Sequence, residues 1–193
     1  MKYVKDFSFW LMLAINGYLL LLFIKDPHTV NLIILLYWFQ SFFMGFFTFL
    51  TMLSFKDNSN SPAFFGSKTK QAFFFLFHYS FFHLGLLIFL IATSLINSDV
   101  INQYLVTSVW LLLATQAIDF LQTRLFKSNS TINLQQYFFL PYLRVIPLVV
   151  LILGFAYFPS SFALSFLLVK ILIDIIMYYL YQLLLETPTN SSD

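Results

Sequence analysis

The chain has 193 residues, of which 60% are hydrophobic and only 9% are charged, and its formal net charge is +2. Soluble domains are about one quarter charged, so this composition excludes an ordinary soluble domain and indicates a protein built for a lipid solvent. The small net charge gives no reason to expect nucleic-acid binding. Because the chain has no cysteine, it can form neither disulfides nor thiolate metal sites.

Six segments are apolar and long enough to cross a bilayer, for which a helix needs about 20 residues. In chain order they are predicted near residues 7–24, 30–55, 71–96, 102–122, 137–158 and 161–185. Their continuous apolar character favours a helical bundle over a barrel. No small-residue cleavage site follows the first span, so we expect it to be retained. The sequence predicts an all-α polytopic membrane protein, with six transmembrane helices in a single domain over residues 1–193.

Basic residues are distributed unevenly between the two sides of the predicted bundle. Seven lie on the side that holds both termini, namely Lys2, Lys5, Lys56, Lys68, Lys70, Arg124 and Lys127. The other side holds Lys25 alone. Because Lys and Arg are enriched in cytoplasmic linkers, both termini are predicted to be cytoplasmic. The expected location is the cell inner (plasma) membrane, as a multi-pass protein.

Few polar side chains interrupt the predicted spans. A charge at the bilayer centre costs on the order of 3 kcal/mol or more, so such residues normally face the bundle interior and mark function. The candidates for an ion, solute or substrate site are Gln40, His78, Tyr79, His83, Asp119, Arg144, Lys170 and Asp174. At about 1.5 Å per residue, most of them fall in the middle and the cytoplasmic half. This placement predicts a polar pocket reached from the cytoplasm, or one interior ion network.

The charged candidates predict ion pairing between helices. Lys170 and Asp174 are four residues apart and share a helix face. Since Lys before Asp is the weaker order, each is expected to have a further partner. Arg144 can bind a carboxylate bidentately, and its expected partner is Asp119 or Asp174. A simpler interpretation is that these pairs only orient the helices, and that Asp119 lies at the membrane interface.

Two prolines flank Arg144 in the stretch "LPYLRVIPLV". Pro147 cannot donate to the carbonyl of Leu143, and Pro141 removes another hydrogen bond near the helix start. Carbonyls freed at membrane depth must be satisfied by protein or water. The pattern therefore predicts a kink and a cavity beside Arg144, although proline is also tolerated in membrane helices without such a role.

Two histidines lie five residues apart in the third span. On a regular helix they point about 140° apart, so they are not expected to ligate one metal together. His78, beside Tyr79 and at the depth of Arg144, is predicted to face the pocket as an acid–base group or a proton relay. A metal, if one binds, is expected at His78 with an oxygen ligand from Asp174 or Asp119. His83 is predicted to be packing, and either imidazole can instead hydrogen-bond across helices.

Four stretches, in order, resemble a prokaryotic family of integral membrane proteins of unknown function: "YWFQSFFMGFFTFLTML", "FFFLFHYSFFHLGLLIF", "PYLRVIPLV" and "LLVKILIDI". The most specific piece is the His-Tyr pair followed by a small residue and Phe. The resemblance implies that the family's polar set here is His78, Tyr79, Arg144, Lys170 and Asp174. This chain has Gln40 where the family pattern has Glu, and Val149 where it has His. Both differences remove a proton or metal ligand.

Three classes of function are compatible with this pattern. The first is a small transporter or channel for an ion or polar solute, which kinked helices and charges near the midplane favour. The second is a membrane-embedded enzyme acting on a lipid or another apolar substrate, with a histidine as acid–base group. No Gly-x-Ser-x-Gly nucleophile motif supports it. The third is a structural or interaction protein. The bilayer is the expected partner, and a homo-oligomer is compatible with a chain of this size.

Overall fold

A computed structural model of the chain describes residues 7–54, 56–57, 66–96, 103–126, 131–132, 134–157 and 159–186. Three of the basic residues used to predict the orientation, Lys2, Lys5 and Lys127, lie outside the described residues. The described part consists of six long helices, and each of them is long and apolar enough to cross a membrane. The prediction of an all-α protein with six spans is therefore confirmed.

The helices follow the predicted spans closely. They are α1 (Phe7–Lys25), α2 (Val30–Ser54), α3 (Lys68–Ala92), α4 (Gln103–Phe126), α5 (Leu134–Tyr157) and α6 (Pro159–Glu186). The helices α3 and α5 each begin about one turn earlier than predicted, because polar residues can form the first turn outside the apolar region. The helix α5 runs through both of its prolines.

Short linkers join the helices. A 3₁₀ turn at Pro27–Thr29 connects α1 to α2, and the Asp26 carboxylate caps it by accepting from the backbone N–H of His28 at 2.9 Å. Two linkers also touch each other, because β1 (Lys56–Asp57) pairs in parallel with β2 (Thr131–Ile132). This two-residue pairing ties the linker after α2 to the linker after α4.

The helix α2 is at the centre of the bundle. It packs against α3, α4 and α5, while α5 also packs on α6, and α1 lies against α4 and α6. Most residues of α2 are buried, whereas the outer helices expose large apolar side chains such as Phe77 and Trp110. An apolar outer surface is what a lipid solvent requires. The polar residues of α2 therefore lie where several helices meet.

Contacts between helix ends show that the helices alternate in direction. The Arg124 guanidinium, near the end of α4, donates to the Ser54 carbonyl at the end of α2 at 2.9 Å. The hydroxyl of Ser8, at the start of α1, donates to Gln122 near the end of α4 at 2.7 Å. The start of α1 and the ends of α2 and α4 thus lie together. We call this the basic end of the bundle, because Arg124 and Lys56 lie at it.

Candidate functional site

Asp174, on α6, is the centre of a buried ion cluster. It is only 2% exposed. Its Oδ1 accepts from Nη2 of Arg144 on α5, in a short ion pair. Its Oδ2 accepts from Nζ of Lys170 at 2.7 Å and from Nε2 of Gln40 at 3.3 Å. The carboxylate therefore joins α2, α5 and α6 near the middle of the bundle.

Lys170 is fully buried and extends the cluster to α1. Its Nζ donates to Oδ1 of Asn16 at 2.5 Å, and the Asn16 amide in turn donates to the Met12 carbonyl at 3.1 Å. The expectation that Lys170 and Asp174 each have a second partner is confirmed. Sequence reasoning missed Asn16, although an amide within an otherwise apolar first span was a signal that could have found it.

Arg144 is 2% exposed and only partly satisfied. Its Nη2 pairs with Asp174, its Nη1 has a 4.0 Å contact with the sulfur of Met44, and no described residue bonds its Nε. The guanidinium carbon lies 5.0 Å from the ring centre of Tyr37, and Nζ of Lys170 lies 5.8 Å from the same centre. Tyr37, a second residue that sequence reasoning missed, therefore supports both cations through its ring.

Of the two carboxylates expected for Arg144, the structure selects Asp174. Asp119 lies on α4 and lines a cavity that leads to the cluster. Among the described residues, the cluster itself therefore holds two cations and one carboxylate. Its formal charge is positive.

The cavity runs from the basic end of the bundle to the ion cluster. It encloses about 840 Å³, counting the open space at its mouth. Five helices form its walls, and α3 contributes none of the lining residues. Gln40, Met44, Arg144 and Asp174 form its floor, and nearer the mouth it is lined by polar side chains that include Thr48, Thr51, Gln116, Asp119 and Gln182. This agrees with the predicted polar pocket next to Arg144.

Contacts between neighbouring helices close the sides of the cavity. The Thr48 and Tyr181 hydroxyls, on α2 and α6, are 2.8 Å apart. The rings of Phe47 and Phe120 join α2 to α4, with 5.6 Å between their centres. Together with the bond between Ser8 and Gln122, these contacts tie α2 to α4 and α6, and α1 to α4, around the cavity.

Apolar packing fills the bundle on the other side of the cluster. Phe166 packs edge-on against Tyr37 at 6.1 Å and lies 6.3 Å from Phe155. The neighbouring side chains of Leu36 and Ile152 are fully buried. The polar cavity therefore reaches the ion cluster and meets closely packed apolar side chains beyond it.

His83 belongs to a second buried network, on the side of α2 that faces α3. Its Nε2 lies 3.1 Å from the Ser41 hydroxyl, and its Nδ1 lies 3.0 Å from the Tyr79 carbonyl. The Tyr79 hydroxyl lies 3.0 Å from the Ser41 hydroxyl and donates to the Ser41 carbonyl. The Trp38 indole donates to the His83 carbonyl at 2.9 Å. None of these residues lines the cavity.

The structure places His78 outside the described lining of the cavity, and it places His83 in a packed network between α2 and α3. His83 is fully buried, whereas His78 is half-buried, stacked on Phe74 and hydrogen-bonded through Nδ1 to the Tyr142 hydroxyl at 2.7 Å. Tyr79, expected beside His78 in the pocket, belongs to the His83 network. The prediction that the two imidazoles have different neighbours is confirmed, because five residues turn a helix by about 140°.

The residues suggested as metal ligands are not brought together as a donor set. Across the part of the chain that the structure describes, no three His, Asp or Glu side chains lie close enough to hold a metal ion. His78 bonds Tyr142, and the Asp174 oxygens already accept from two cations and an amide. The described arrangement therefore favours an ion network at Asp174 over a metal centre.

Comparison with known protein families shows which family the chain belongs to. The model of DUF6498, a family of unknown function, matches residues 2–186, a range that includes all six helices. No curated protein and no solved structure matches the chain significantly. The chain is a six-helix membrane protein that belongs to the DUF6498 family.

Proposed function

We propose that the protein is a small transporter that binds an ion or a polar solute at the floor of the cavity. The observation that carries this proposal is the path from the basic end to a buried ion cluster. Polar side chains line that path, and at its end Arg144 and Gln40 each keep an atom without a hydrogen-bond partner. Intramembrane charges that face a cavity commonly mark a solute or ion pathway.

A transporter fits this geometry better than a channel. A channel needs a continuous polar path, whereas the packing of Phe166 against Tyr37 and Phe155 fills the far side of the cluster. A site near the midplane that is reached from one side corresponds to one state of an alternating-access cycle. Movement of α6 against α5 would then expose the site to the other side.

The enzyme hypothesis finds less support in the site. It requires His78 as an acid–base group close to Arg144 or Lys170, but His78 bonds Tyr142 and is not among the cavity-lining residues. A purely structural role would explain the ion pairs. It would not explain why a polar cavity leads to them.

We also propose that the cavity opens to the cytoplasm and that the chain resides in the inner membrane. The described basic residues at the cavity end, which include Lys56, Lys68, Lys70 and Arg124, support this orientation. A reporter that is active only outside the cytoplasm, fused after Glu186, should be silent. Activity of that fusion would reverse the proposed orientation.

Uptake into proteoliposomes tests the transport proposal. The protein would be supplied with radiolabelled sodium, phosphate, lactate, glycine or choline. We expect saturable uptake of at least one of them, reduced strongly by Arg144→Lys and unchanged by Gly17→Ala, where an added Cβ meets no atom within 4 Å. Uptake no greater than that of empty liposomes for all five, or uptake insensitive to Arg144→Lys, would contradict a transport role.

A further inference from the structure

The ion cluster carries an excess of positive charge. Within the described part of the chain, Arg144 and Lys170 are paired with one carboxylate, that of Asp174, and all three side chains are at most 2% exposed. A buried charge without a partner is strongly unfavourable. A ligand that brings a negative charge to the cluster would therefore be stabilised there, and a cation would be repelled.

Arg144 offers the donors that such a ligand needs. It lines the cavity, its Nε has no hydrogen-bond partner among the described residues, and its Nη1 contacts a thioether sulfur at 4.0 Å, a weak acceptor. A guanidinium binds carboxylate and phosphate oxygens through charge-assisted hydrogen bonds, which are stronger than neutral ones. The donors of Arg144 that Asp174 leaves unused thus match an oxyanion.

Gln40 offers the ligand a hydrogen-bond acceptor, in addition to the donors of Arg144. Its Nε2 donates to Asp174, while its buried Oε1 has no partner in the part of the chain that the structure describes, and the residue lines the same cavity. A carbonyl oxygen can only accept. A ligand with a hydroxyl group next to its anionic group would satisfy Arg144 and Gln40 at once.

From these observations we infer that the ligand of the cavity is a small hydroxylated oxyanion, of the carboxylate or phosphate class, bound by Arg144 and Gln40. The inference names the solute class for the proposed transport site and rests on that proposal for its physiological meaning. Binding alone can be measured without transport.

Calorimetric titration of the purified full chain in detergent tests this inference. The probes are sodium phosphate and sodium lactate, which carry both an anionic group and a hydroxyl, and choline chloride, a cation, all at one ionic strength set with sodium chloride. We expect saturable binding of phosphate or lactate and none of choline. Sodium acetate, which lacks the hydroxyl of lactate, should bind more weakly than lactate.

Three variants test whether changes in anion binding come from changes in charge and donors or from loss of folding. Arg144→Lys and Gln40→Glu should each weaken anion binding by about tenfold or more. The first variant removes hydrogen-bond donors. The second adds a negative charge to a side chain of the same shape. Asp119→Asn removes a negative charge from the cavity wall and should strengthen anion binding. Each variant is compared with wild type by helical circular dichroism and size-exclusion profile, and Gln40→Glu answers the question if Arg144→Lys does not fold.

Several outcomes would overturn the inference. They are the absence of phosphate and lactate binding to the folded wild-type protein, anion binding that persists unchanged in Gln40→Glu, and choline binding that Asp119→Asn abolishes. Uptake of a cation without anion binding would support the transport proposal and refute the inference that the ligand is an anion. Anion binding without any uptake would support the anionic ligand and contradict the transport proposal.

Discussion

Gln40 and Ser41 are neighbours on α2, yet their side chains enter two different buried networks. Gln40 donates to Asp174 in the ion cluster shared with α5 and α6, and Ser41 bonds Tyr79 and His83 on α3. One helical step of about 100° separates the two directions. The central helix therefore has a charged, cavity-facing side and a neutral side packed on α3.

The two networks differ in how completely they are satisfied. In the His83 network, both imidazole nitrogens and the Tyr79 hydroxyl have partners. In the ion cluster, Nε of Arg144 and Oε1 of Gln40 have none, and both residues line the cavity. A closed set of neutral hydrogen bonds is suited to holding two helices together, whereas an incompletely satisfied charged set is suited to binding something else.

The largest loss of stability is expected when the ion cluster loses its carboxylate. Asp174→Asn keeps the shape of the side chain but leaves Arg144 and Lys170 buried without a counter-charge, so we expect a loss of about 3–5 kcal/mol in stability. Unfolding of the purified protein in detergent measures it. Asp119→Asn, at a half-buried position on the cavity wall, is the matched control and should lose much less. A loss for Asp174→Asn no larger than the small loss expected for Asp119→Asn would mean that the cluster does not depend on the charge of Asp174.

The second-largest loss of stability is expected from a change in the packing of the His83 network. A Cβ at Gly45 would overlap the ring of Tyr79, so Gly45→Ala must displace the tyrosine and its bond to Ser41. We expect a loss of about 1–3 kcal/mol in stability, as for other overpacked cores. Gly17→Ala, which meets no atom within 4 Å, should be neutral or slightly stabilising in its helix. If Gly45→Ala is as stable as Gly17→Ala, the close approach of α2 and α3 at Gly45 is not required for stability.

A smaller effect is expected from the histidine itself. His83→Leu removes the bonds to Ser41 and to the Tyr79 carbonyl, and hydrogen bonds between membrane helices contribute about 1 kcal/mol. We expect a loss of stability of this size for His83→Leu. Phosphate or lactate binding should be unchanged, since His83 is not among the described residues that line the cavity. Calorimetric titration beside the unfolding measurement checks both. A loss of anion binding in a folded His83→Leu protein would connect the two networks that the structure separates.

The smallest effect is expected at His78. This imidazole is half-buried and has one hydrogen bond, to Tyr142, so His78→Leu should cost about 0.5 kcal/mol or less. Unfolding of His78→Leu and His83→Leu under the same conditions ranks the two positions. A larger loss for His78→Leu would contradict the order expected from burial and would argue for a partner at the outer face of α3.

The amino-acid sequence by itself determined the six spans and the pairing within α6. Span positions follow from local hydrophobicity, and the pairing of Lys170 with Asp174 follows from their spacing of four residues. The divergence of His78 and His83 also follows from helix geometry alone. These features depend on one helix at a time.

Only the tertiary structure decided which side of each helix faces the interior. In a soluble helix the apolar stripe marks the buried face, but here phenylalanine and leucine cover every face, because lipid and protein interior are similarly apolar. Sequence therefore could not show that His83 rather than His78 is buried, or that the Tyr37 ring lies against both cations of the cluster. The choice of Asp174 over Asp119 for Arg144 likewise depends on how α5 and α6 are rotated against each other, which is a property of the packed bundle.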